Sequence, residues 1–255
     1  MRSGADRWDY SYAKRRTLGH PAALSRNHTS RNRGITAVLV PSKRSHTWYR
    51  PRENRACAAL TGDDKPGIIR MEEVMPVGDV VLVIDMQRGF LEEGNPLFCG
   101  HAAREIIPKV QKLLDRELAR DSKIIFTADA HAPDDREFEM WPPHCVKGTM
   151  EAEIIPELAS YPGPRVHSTR YSGFYGTDLA ERLEELEPEK IHVCGVCTDI
   201  CVMHTVADAR ARDYEVQVYT DCVASFDDGM HRFGLKHMDE VLGAELVSVD
   251  PESSS

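Results

Sequence analysis

The stretch IHVCGVCTDICVMHTVADAR, residues Ile191–Arg210, is the part of the chain around which the fold can be inferred. It opens with a short apolar run, Ile191–Val196, of the length and composition of a buried β-strand. Apolar or small residues then recur at helical spacing from Val202 to Ala209. Because Thr198 and Asp199 are good N-cap residues, the pattern predicts a helix that begins about three residues after the strand.

Cys201 falls in the first turn of that predicted helix. Free backbone N–H groups and the positive end of the helix dipole favour a thiolate there. Cys201 is therefore a candidate nucleophile, and the surrounding backbone amides are a candidate oxyanion hole. The alternative for any single cysteine is a small buried core residue, so the remainder of the chain has to decide.

Outside this stretch, strand and helix patterns alternate. The predicted strands are 79–85, 123–127, 165–167, 191–196, 215–219 and 244–249. The predicted helices include 102–119, 151–158, 178–186 and 229–242, and a loop is predicted at 86–96. This alternation predicts an α/β fold with a doubly wound, mostly parallel six-stranded sheet and helices on both faces.

Polar residues follow four of the predicted strands. They are Asp85, Asp129 with His131, the segment Ser168–Tyr171, and Cys201. Because ligands bind at the carboxyl ends of the strands in such a sheet, their convergence favours a site. The alternative for Asp85 alone is a loop cap, since a buried carboxylate without a partner is costly.

Asp129, His131, Glu137 and His144 place two carboxylates and two imidazoles within sixteen positions. That set is sufficient for a divalent transition metal such as zinc, iron or manganese. The alternative is a solvated acidic loop with structural histidines, but Asp-x-His directly after a strand favours the metal. The other histidines show no ligand spacing and are interpreted as packing or surface residues.

The net charge of −9 hides an asymmetry. Residues 1–70 carry 15 Lys/Arg against 5 Asp/Glu, or +10, which leaves −19 for residues 71–255. The basic segment lacks periodicity and is predicted to be disordered, and its apolar run at 34–40 is too short for a membrane span. Three interpretations of this segment remain open: a transit peptide, a basic arm that contacts nucleic acid, and a mis-called extension. The last is favoured, and in that case translation starts at Met71 or Met75.

Seven cysteines, an odd number in a chain with no predicted signal peptide, indicate a reducing compartment, and a cytoplasmic location is predicted. Cys194, Cys197 and Cys201 could form a metal or cluster site. That interpretation is disfavoured because they fall on different predicted elements and no second Cys-x-x-Cys pair supplies a fourth ligand.

Four segments resemble the isochorismatase-like cysteine hydrolases, and within them the nicotinamidase/pyrazinamidase branch. They are VLVIDMQRGF, TADAHAPDDREFEMWPPHCVKGT, TRYSGFYGTDL and VCGVCTDICV, in the family's order and spacing. The similarity runs from about residue 80 to 249, which assigns residues 71–255 to the domain. The Asp-Met-Gln and GVCTDIC segments mark the superfamily, and Asp-x-His followed by WPPHC marks the branch.

The resemblance implies a role for each matching residue. Asp85 would be the general base and Cys201 the nucleophile, with the amides of Cys197 and Cys201 as oxyanion hole beside a cis peptide between Val196 and Cys197. The metal held by the four residues above would bind the pyridine nitrogen of the substrate. The residues implied for an aromatic slot around a flat ring are Phe90, Trp141 and Tyr171, although each could also be ordinary core.

One position departs from the family pattern. The family's triad lysine, three residues before the tyrosine of TRYSGF, is replaced by Ser168. A lysine supplies a fixed positive charge that stabilises the thiolate and the oxyanion, and serine supplies neither charge nor reach. Arg170 is the nearest cation, and in an extended segment it would point to the same side as Ser168.

The sequence therefore predicts a metal-dependent amidohydrolase that converts nicotinamide to nicotinate and ammonia through a Cys201 thioester. A low-activity or non-catalytic ligand-binding homologue is the first alternative. A superfamily hydrolase for N-carbamoyl or vinyl-ether substrates is the second. The predicted partner is a small aromatic amide, with no nucleic acid or membrane partner, and a homo-oligomer is left open.

Overall fold

The structure is a computed structural model that describes residues 78–250 and contains a six-stranded sheet. The strands are β1 (Val80–Ile84), β2 (Lys123–Asp129), β3 (Arg165–Ser168), β4 (Ile191–Val196), β5 (Val216–Ala224) and β6 (Glu245–Val247). Their order is β3-β2-β1-β4-β5-β6, and every neighbouring pair is parallel. The predicted doubly wound α/β sheet is confirmed, and all of its strands run in one direction.

Helices cover both faces of the sheet. They are α1 (Arg88–Leu91), α2 (His101–Glu105), α3 (Ile107–Leu118), α4 (Pro156–Ala159), α5 (Leu179–Leu186), α6 (Met203–Arg210) and α7 (Asp228–Glu240). On one face α3 packs Val110 and Leu114 against Val81 and Val83 of β1. On the other face α5, α6 and α7 bury their apolar sides against Leu82 and its neighbours. The central strands β1 and β4 are buried along their whole length, which explains their continuous apolar sequence.

Several predicted boundaries were wrong. The predicted helix 102–119 is two helices, α2 and α3, because Pro108 has no N–H to donate to the preceding turn. The predicted loop 86–96 contains α1. The predicted helix 151–158 is a 3-10 turn, Met150–Ala152, and the short α4, since Ile154 between them pairs with Gln87 as an isolated bridge.

β5 is longer than predicted and extends through a polar stretch to Ala224. Its prediction stopped at Tyr219 because Thr220 and Asp221 are polar. In the fold Thr220 donates to the Val247 carbonyl, and Asp221 accepts from the backbone N–H of Val249. These partners lie beyond the reach of a local pattern.

The segment after β4 also differs from its prediction. Thr198–Val202 form a π-helical turn before α6 begins, so Cys201 precedes the α-helix instead of lying in its first turn. Neither predicted cap residue caps the helix. Thr198 Oγ1 lies 2.8 Å from His231 Nδ1 of α7, and Asp199 accepts a hydrogen bond from Ser225. The two side chains that the local pattern assigns to capping therefore make tertiary contacts instead, with α7 and with the residue that follows β5.

Residues 1–70, with their predicted disorder and their alternative interpretations, lie outside the described residues. Within residues 78–250, none of the helices combines the length and apolar character needed to cross a bilayer.

Candidate active site

Asp85 lies at the carboxyl end of β1, directly after the strand, and only 2% of it is exposed. Its backbone adopts a left-handed conformation with φ of 51°, a region that aspartate tolerates better than most residues. The Thr127 hydroxyl of β2 donates to Asp85 Oδ1 at 3.0 Å, and the Cys201 thiol donates to the same carboxylate. Three neighbouring strands thus bring together residues that lie far apart in the sequence.

Burial is the main influence on the Asp85 carboxyl group. It raises the pKa of Asp85 well above the ordinary value, and the nearby Asp129 carboxylate raises it further. The hydrogen bonds from Cys201 and Thr127 lower the pKa in part. A carboxyl group with a raised pKa is a stronger base than a solvated one, so Asp85 can accept a proton from a neighbouring thiol.

The Cys201 thiol is 8% exposed and is surrounded by acids. Burial raises its pKa well above the ordinary value, and the carboxylates of Asp85, Asp129 and Glu137 raise it further. The thiol therefore holds its proton in the resting site. A thiol that holds its proton needs a neighbouring base before its sulfur can act as a nucleophile, and the Asp85 carboxylate is the group in contact with it.

Asp129, His131 and His144 converge beside this pair. Asp129 ends β2, and its Oδ2 lies 3.5 Å from His131 Nε2 and 3.7 Å from His144 Nε2. One ligand atom from each of the three residues lies within 4.8 Å of the other two. Ligand atoms around a tetrahedral zinc ion are roughly 3.3–3.6 Å apart, as follows from bonds of about 2.0–2.2 Å. These separations fit a divalent ion.

Two further observations support a metal at this position. His131 Nε2 is buried and has no hydrogen-bond partner, while His131 Nδ1 lies 3.2 Å from Asp135 and His144 Nδ1 lies 2.8 Å from the Pro142 carbonyl. Metal-bound histidines commonly use the second ring nitrogen in this way. Burial lowers the pKa of His131, but Asp129, Asp135 and nearby Glu137 outweigh that and raise it to about 9. The negative charge of these carboxylates therefore favours a proton on His131, and a bound cation would neutralise the same negative charge.

The fourth predicted ligand, Glu137, lies outside this set of three. It lines the same pocket, but its Oε2 is 3.7 Å from Nη1 of Arg170. Burial and the Asp129 carboxylate raise the pKa of Glu137. The structure therefore places Glu137 next to the cluster and pairs it with a cation.

Gln87 holds the Asp129 backbone, a role that sequence reasoning missed. Its side-chain amide donates to the Asp129 carbonyl at 2.8 Å and accepts from the Asp129 N–H at 2.7 Å. It also donates to the carbonyl of Ala152 at 2.8 Å. Gln87 follows Asp85 by two residues in the Asp-Met-Gln segment, which was the available clue.

The three aromatic residues named for a slot lie around one pocket. Phe90, Trp141 and Tyr171 line it together with Cys201, and Trp141 Nε1 donates to Tyr171 Oη at 3.1 Å. Phe226 is a further aromatic lining residue that the sequence analysis missed. Its ring lies 6.4 Å from Trp141 at an interplanar angle of 22°. It follows β5, whose carboxyl end was misplaced by the short predicted strand.

Ser168 and Arg170 contact residues other than Asp85 and Cys201. Ser168 is buried at the end of β3, opposite Asp129 in the sheet, and its Oγ is 3.4 Å from Asp129 Oδ1. Arg170 Nη1 donates to Asp135 Oδ1 at 2.9 Å. β3 ends at Ser168, so Arg170 lies beyond the regular strand alternation from which its direction was predicted.

The segment that carries Cys201 has the backbone form that the resemblance implied. The Val196–Cys197 peptide is cis, and Cys197 lines the pocket beside Cys201. Gly195 precedes it with φ of 122°, where an added Cβ would lie 2.0 Å from the Ile84 carbonyl oxygen. Only glycine permits this approach between β1 and β4.

An isochorismatase domain model matches residues 79–250. The chain belongs to the isochorismatase family. It is similar to the crystal structure of nicotinamidase PncA from Bacillus subtilis, with 31% identity, a TM-score of 0.63, and coverage of 67% of this chain and 99% of that one. The fold assignment from sequence is thereby confirmed.

Two further similarities bear on the metal and on activity. A pyrazinamidase of Pyrococcus horikoshii solved in complex with zinc is 30% identical, with a TM-score of 0.62 over 67% of this chain and 98% of that chain. An Arabidopsis thaliana protein described as a probable inactive nicotinamidase is 30% identical over 63% of this chain and 88% of its own length. The family therefore contains both a zinc-bound structure and a member described as inactive.

Proposed function

We propose that the chain is a nicotinamidase-type amidohydrolase that cleaves an aromatic amide to the acid and ammonia. The observation that carries the proposal is the contact between the Cys201 thiol and the Asp85 carboxylate in an aromatic pocket beside Asp129, His131 and His144. The nicotinamidase and pyrazinamidase relatives support the same substrate class.

In the proposed reaction, the Cys201 thiol passes its proton to Asp85 as Sγ attacks the amide carbon. Asp85 then gives that proton to the leaving nitrogen, and ammonia departs as the thioester forms. Asp85 next takes a proton from water, and the resulting hydroxide attacks the thioester carbon. The acid leaves, and Cys201 regains its proton from Asp85.

The backbone amides of Cys197 and Cys201 are proposed to stabilise the oxyanion. Phe90, Trp141 and Tyr171 are proposed to hold the flat ring of the substrate. Asp129, His131 and His144 would hold a divalent transition metal, with Glu137 beside them as the proposed fourth ligand. When bound, the metal supplies a Lewis acid that orients the pyridine nitrogen.

Ser168 is the reason to weigh a second function. The charged groups that act most strongly on Cys201 are all acids, and Arg170 is paired with Asp135. Without a lysine in the site, a binding protein that retains the pocket and the metal ligands is the alternative. A hydrolase for N-carbamoyl substrates is the third candidate, and bound metal would argue against it, since Asp129, His131 and His144 would then have no role.

Ammonia release from nicotinamide by the purified full chain tests this proposal, with Ser168→Lys measured alongside. We expect Ser168→Lys to raise turnover by about 10²–10³-fold, because one fixed charge at an oxyanion or thiolate has that effect. Ser168→Met is the matched control, since methionine is similar in length to lysine and carries no charge. Cys201→Ala gives the background rate.

The outcomes separate the candidates. Turnover by the parent chain at ordinary enzyme rates supports the proposal and shows that the lysine is dispensable. Activity in Ser168→Lys alone supports the binding protein with an inherited site. Absence of ammonia from both variants, when each carries metal, contradicts the nicotinamidase assignment.

A further inference from the structure

Two buried thiols meet in the wall of the pocket and have no part in the proposed reaction. Cys99 lies between α1 and α2, and Cys197 directly follows β4. Their Sγ atoms are 3.3 Å apart, although 98 positions separate the two residues. We propose that Cys99 and Cys197 are a covalent modification site, a dithiol pair that an oxidant closes into an intramolecular disulfide.

The geometry requires only a small movement. A disulfide has an S–S distance of about 2.05 Å, so the two sulfurs need to approach by about 1.2 Å. Both residues belong to the same apolar cluster, with 5% of Cys99 and 4% of Cys197 exposed. Cys99 lies outside helices and strands, so its segment can move without breaking a helix or the sheet.

An oxidant has a route to the pair. Cys197 and the neighbouring Leu97 line the same pocket as Cys201, so a molecule that reaches the nucleophile also reaches this wall. The hydrogen bond with Cys99 and burial raise the pKa of Cys197, which disfavours its thiolate.

The oxidant is a peroxide. The thiolate of one cysteine attacks a peroxide oxygen and forms a sulfenic acid, and the O–O bond breaks to release the first water. The second sulfur displaces the hydroxyl group, which leaves as the second water when the S–S bond forms. Two thiols lose two electrons and two protons, and one hydrogen peroxide is reduced to two waters.

The disulfide would act on the proposed reaction through position. Cys197 contributes a proposed oxyanion-hole amide and lies four residues before the nucleophile. A bond to Cys99 pulls this segment toward the α1–α2 loop, so hydrolysis should fall. This consequence rests on the proposed function, whereas formation of the disulfide does not.

Disulfide formation is tested in the full chain with diamide, an azo compound that accepts the same two electrons and two protons and adds no oxygen to sulfur. The Cys201→Ser background removes the nucleophile from competition. Trypsin then yields peptides 89–104 and 191–210. We expect these two peptides to be joined under non-reducing conditions and separated by dithiothreitol. Fragmentation of the joined peptides should show that the bridged cysteine of peptide 191–210 is Cys197.

Matched variants sharpen the result. Cys99→Ala should abolish the linked peptide, whereas Cys145→Ala, which removes another buried thiol of the same cluster, should leave it. Free thiols at Cys99 and Cys197 after treatment, or a bridge to Cys194 instead, would overturn the proposal. Equal melting temperatures of the reduced variants establish that they are folded.

Activity is a separate measurement. Diamide should lower ammonia release at least tenfold in the parent chain, reversibly with dithiothreitol, and leave Cys99→Ala unaffected. If the linked peptide forms and activity does not fall, the disulfide exists but the inference that it lowers hydrolysis is wrong. If nicotinamide is not hydrolysed at all, the linked peptide still decides whether the modification site exists.

Discussion

At the scale of single residues, Thr127 and Gln87 position the proposed reacting and metal-binding groups without having a role in the proposed chemistry themselves. Thr127 donates to Asp85, and Gln87 holds both backbone polar groups of Asp129. Both are buried in the sheet or directly after it. Thr127 affects the proton affinity of Asp85, and Gln87 fixes the position of Asp129. Both effects can be measured separately from the rate of the reaction.

Thr127→Val removes the hydrogen bond to Asp85 and nearly preserves shape. Because that bond lowers the pKa of Asp85, its loss should raise the pKa. Asp85 has to be ionised to act as a base, so the acidic limb of the kcat/KM profile should move to higher pH. Thr127→Ser retains the hydroxyl and should retain the parent profile. An unchanged limb in Thr127→Val would contradict this role.

Gln87→Ala should weaken metal binding. Loss of an interaction that orients a ligand commonly costs about 10–100-fold in affinity. Competition against a chelator measures this affinity in the parent and the variant. Gln111→Ala is the control, because its amide also donates to a backbone carbonyl, that of Glu157, but on α3 away from the cluster. Equal zinc affinity in the parent chain and Gln87→Ala would show that Asp129 holds its position unaided.

At the scale of elements, the junction of β1 and β4 leaves no space for an added side chain at Gly195. Gly195 allows the β4 backbone to approach Ile84 just before the cis peptide and the π-helical turn. On the far side of that turn, a Cβ at Gly234 of α7 would lie 3.0 Å from Asp199 Cα. Strand, turn and helix are therefore packed without room for added atoms.

Gly195→Ala should lower the free energy of unfolding by more than about 3 kcal/mol, because a Cβ placed 2.0 Å from the Ile84 oxygen forces the strands apart. Gly176→Ala is a matched control with positive φ and no atom within 4 Å of its Cβ, and about 1 kcal/mol is expected there. Urea unfolding gives both values. Similar losses would contradict the steric argument.

At the scale of the whole molecule, Asp221 joins the end of the described chain to the sheet. This β5 residue accepts from the N–H groups of Val249 and Asp250 and from the Ser248 hydroxyl, and it lies 3.7 Å from Lys109 of α3. Burial raises the pKa of Asp221, but these donors and the lysine outweigh it, so the pKa is lowered.

Asp221→Asn should lower the Tm most at neutral pH. A carboxyl group whose pKa is lower in the folded state stabilises above its unfolded pKa, and this stability is lost as the pH falls through the folded pKa. The Tm difference between parent and variant should therefore shrink as the pH falls below the ordinary value of 3.8. A constant difference would contradict the linkage.

The sheet also explains how distant residues form one site. Asp85, Asp129, Ser168 and Cys201 all lie at or just beyond the carboxyl ends of four parallel strands that neighbour one another. The strand order reverses at β1 and β4, and there Asp85 meets Cys201. A parallel sheet brings the carboxyl ends of its strands to one edge, and this alone places residues that are more than a hundred positions apart in the sequence next to one another.

The sequence by itself determined the fold class, the identity of the six strands and the polar residues at their ends. It could do so because a doubly buried parallel strand requires a continuous apolar run, and a polar residue that ends such a run marks the edge of the sheet. The apolar run that ends at Asp85 and the Cys201 segment carried that information locally.

Only the tertiary structure decided the contacts that those local patterns leave open. Arg170 pairs with Asp135, Phe226 lines the pocket because β5 continues through polar residues, and Thr198 pairs with His231 instead of capping a helix. Cys99 reaches Cys197 across 98 positions. In each case the partner is distant in sequence, and periodicity or capping preference describes only neighbours along the chain.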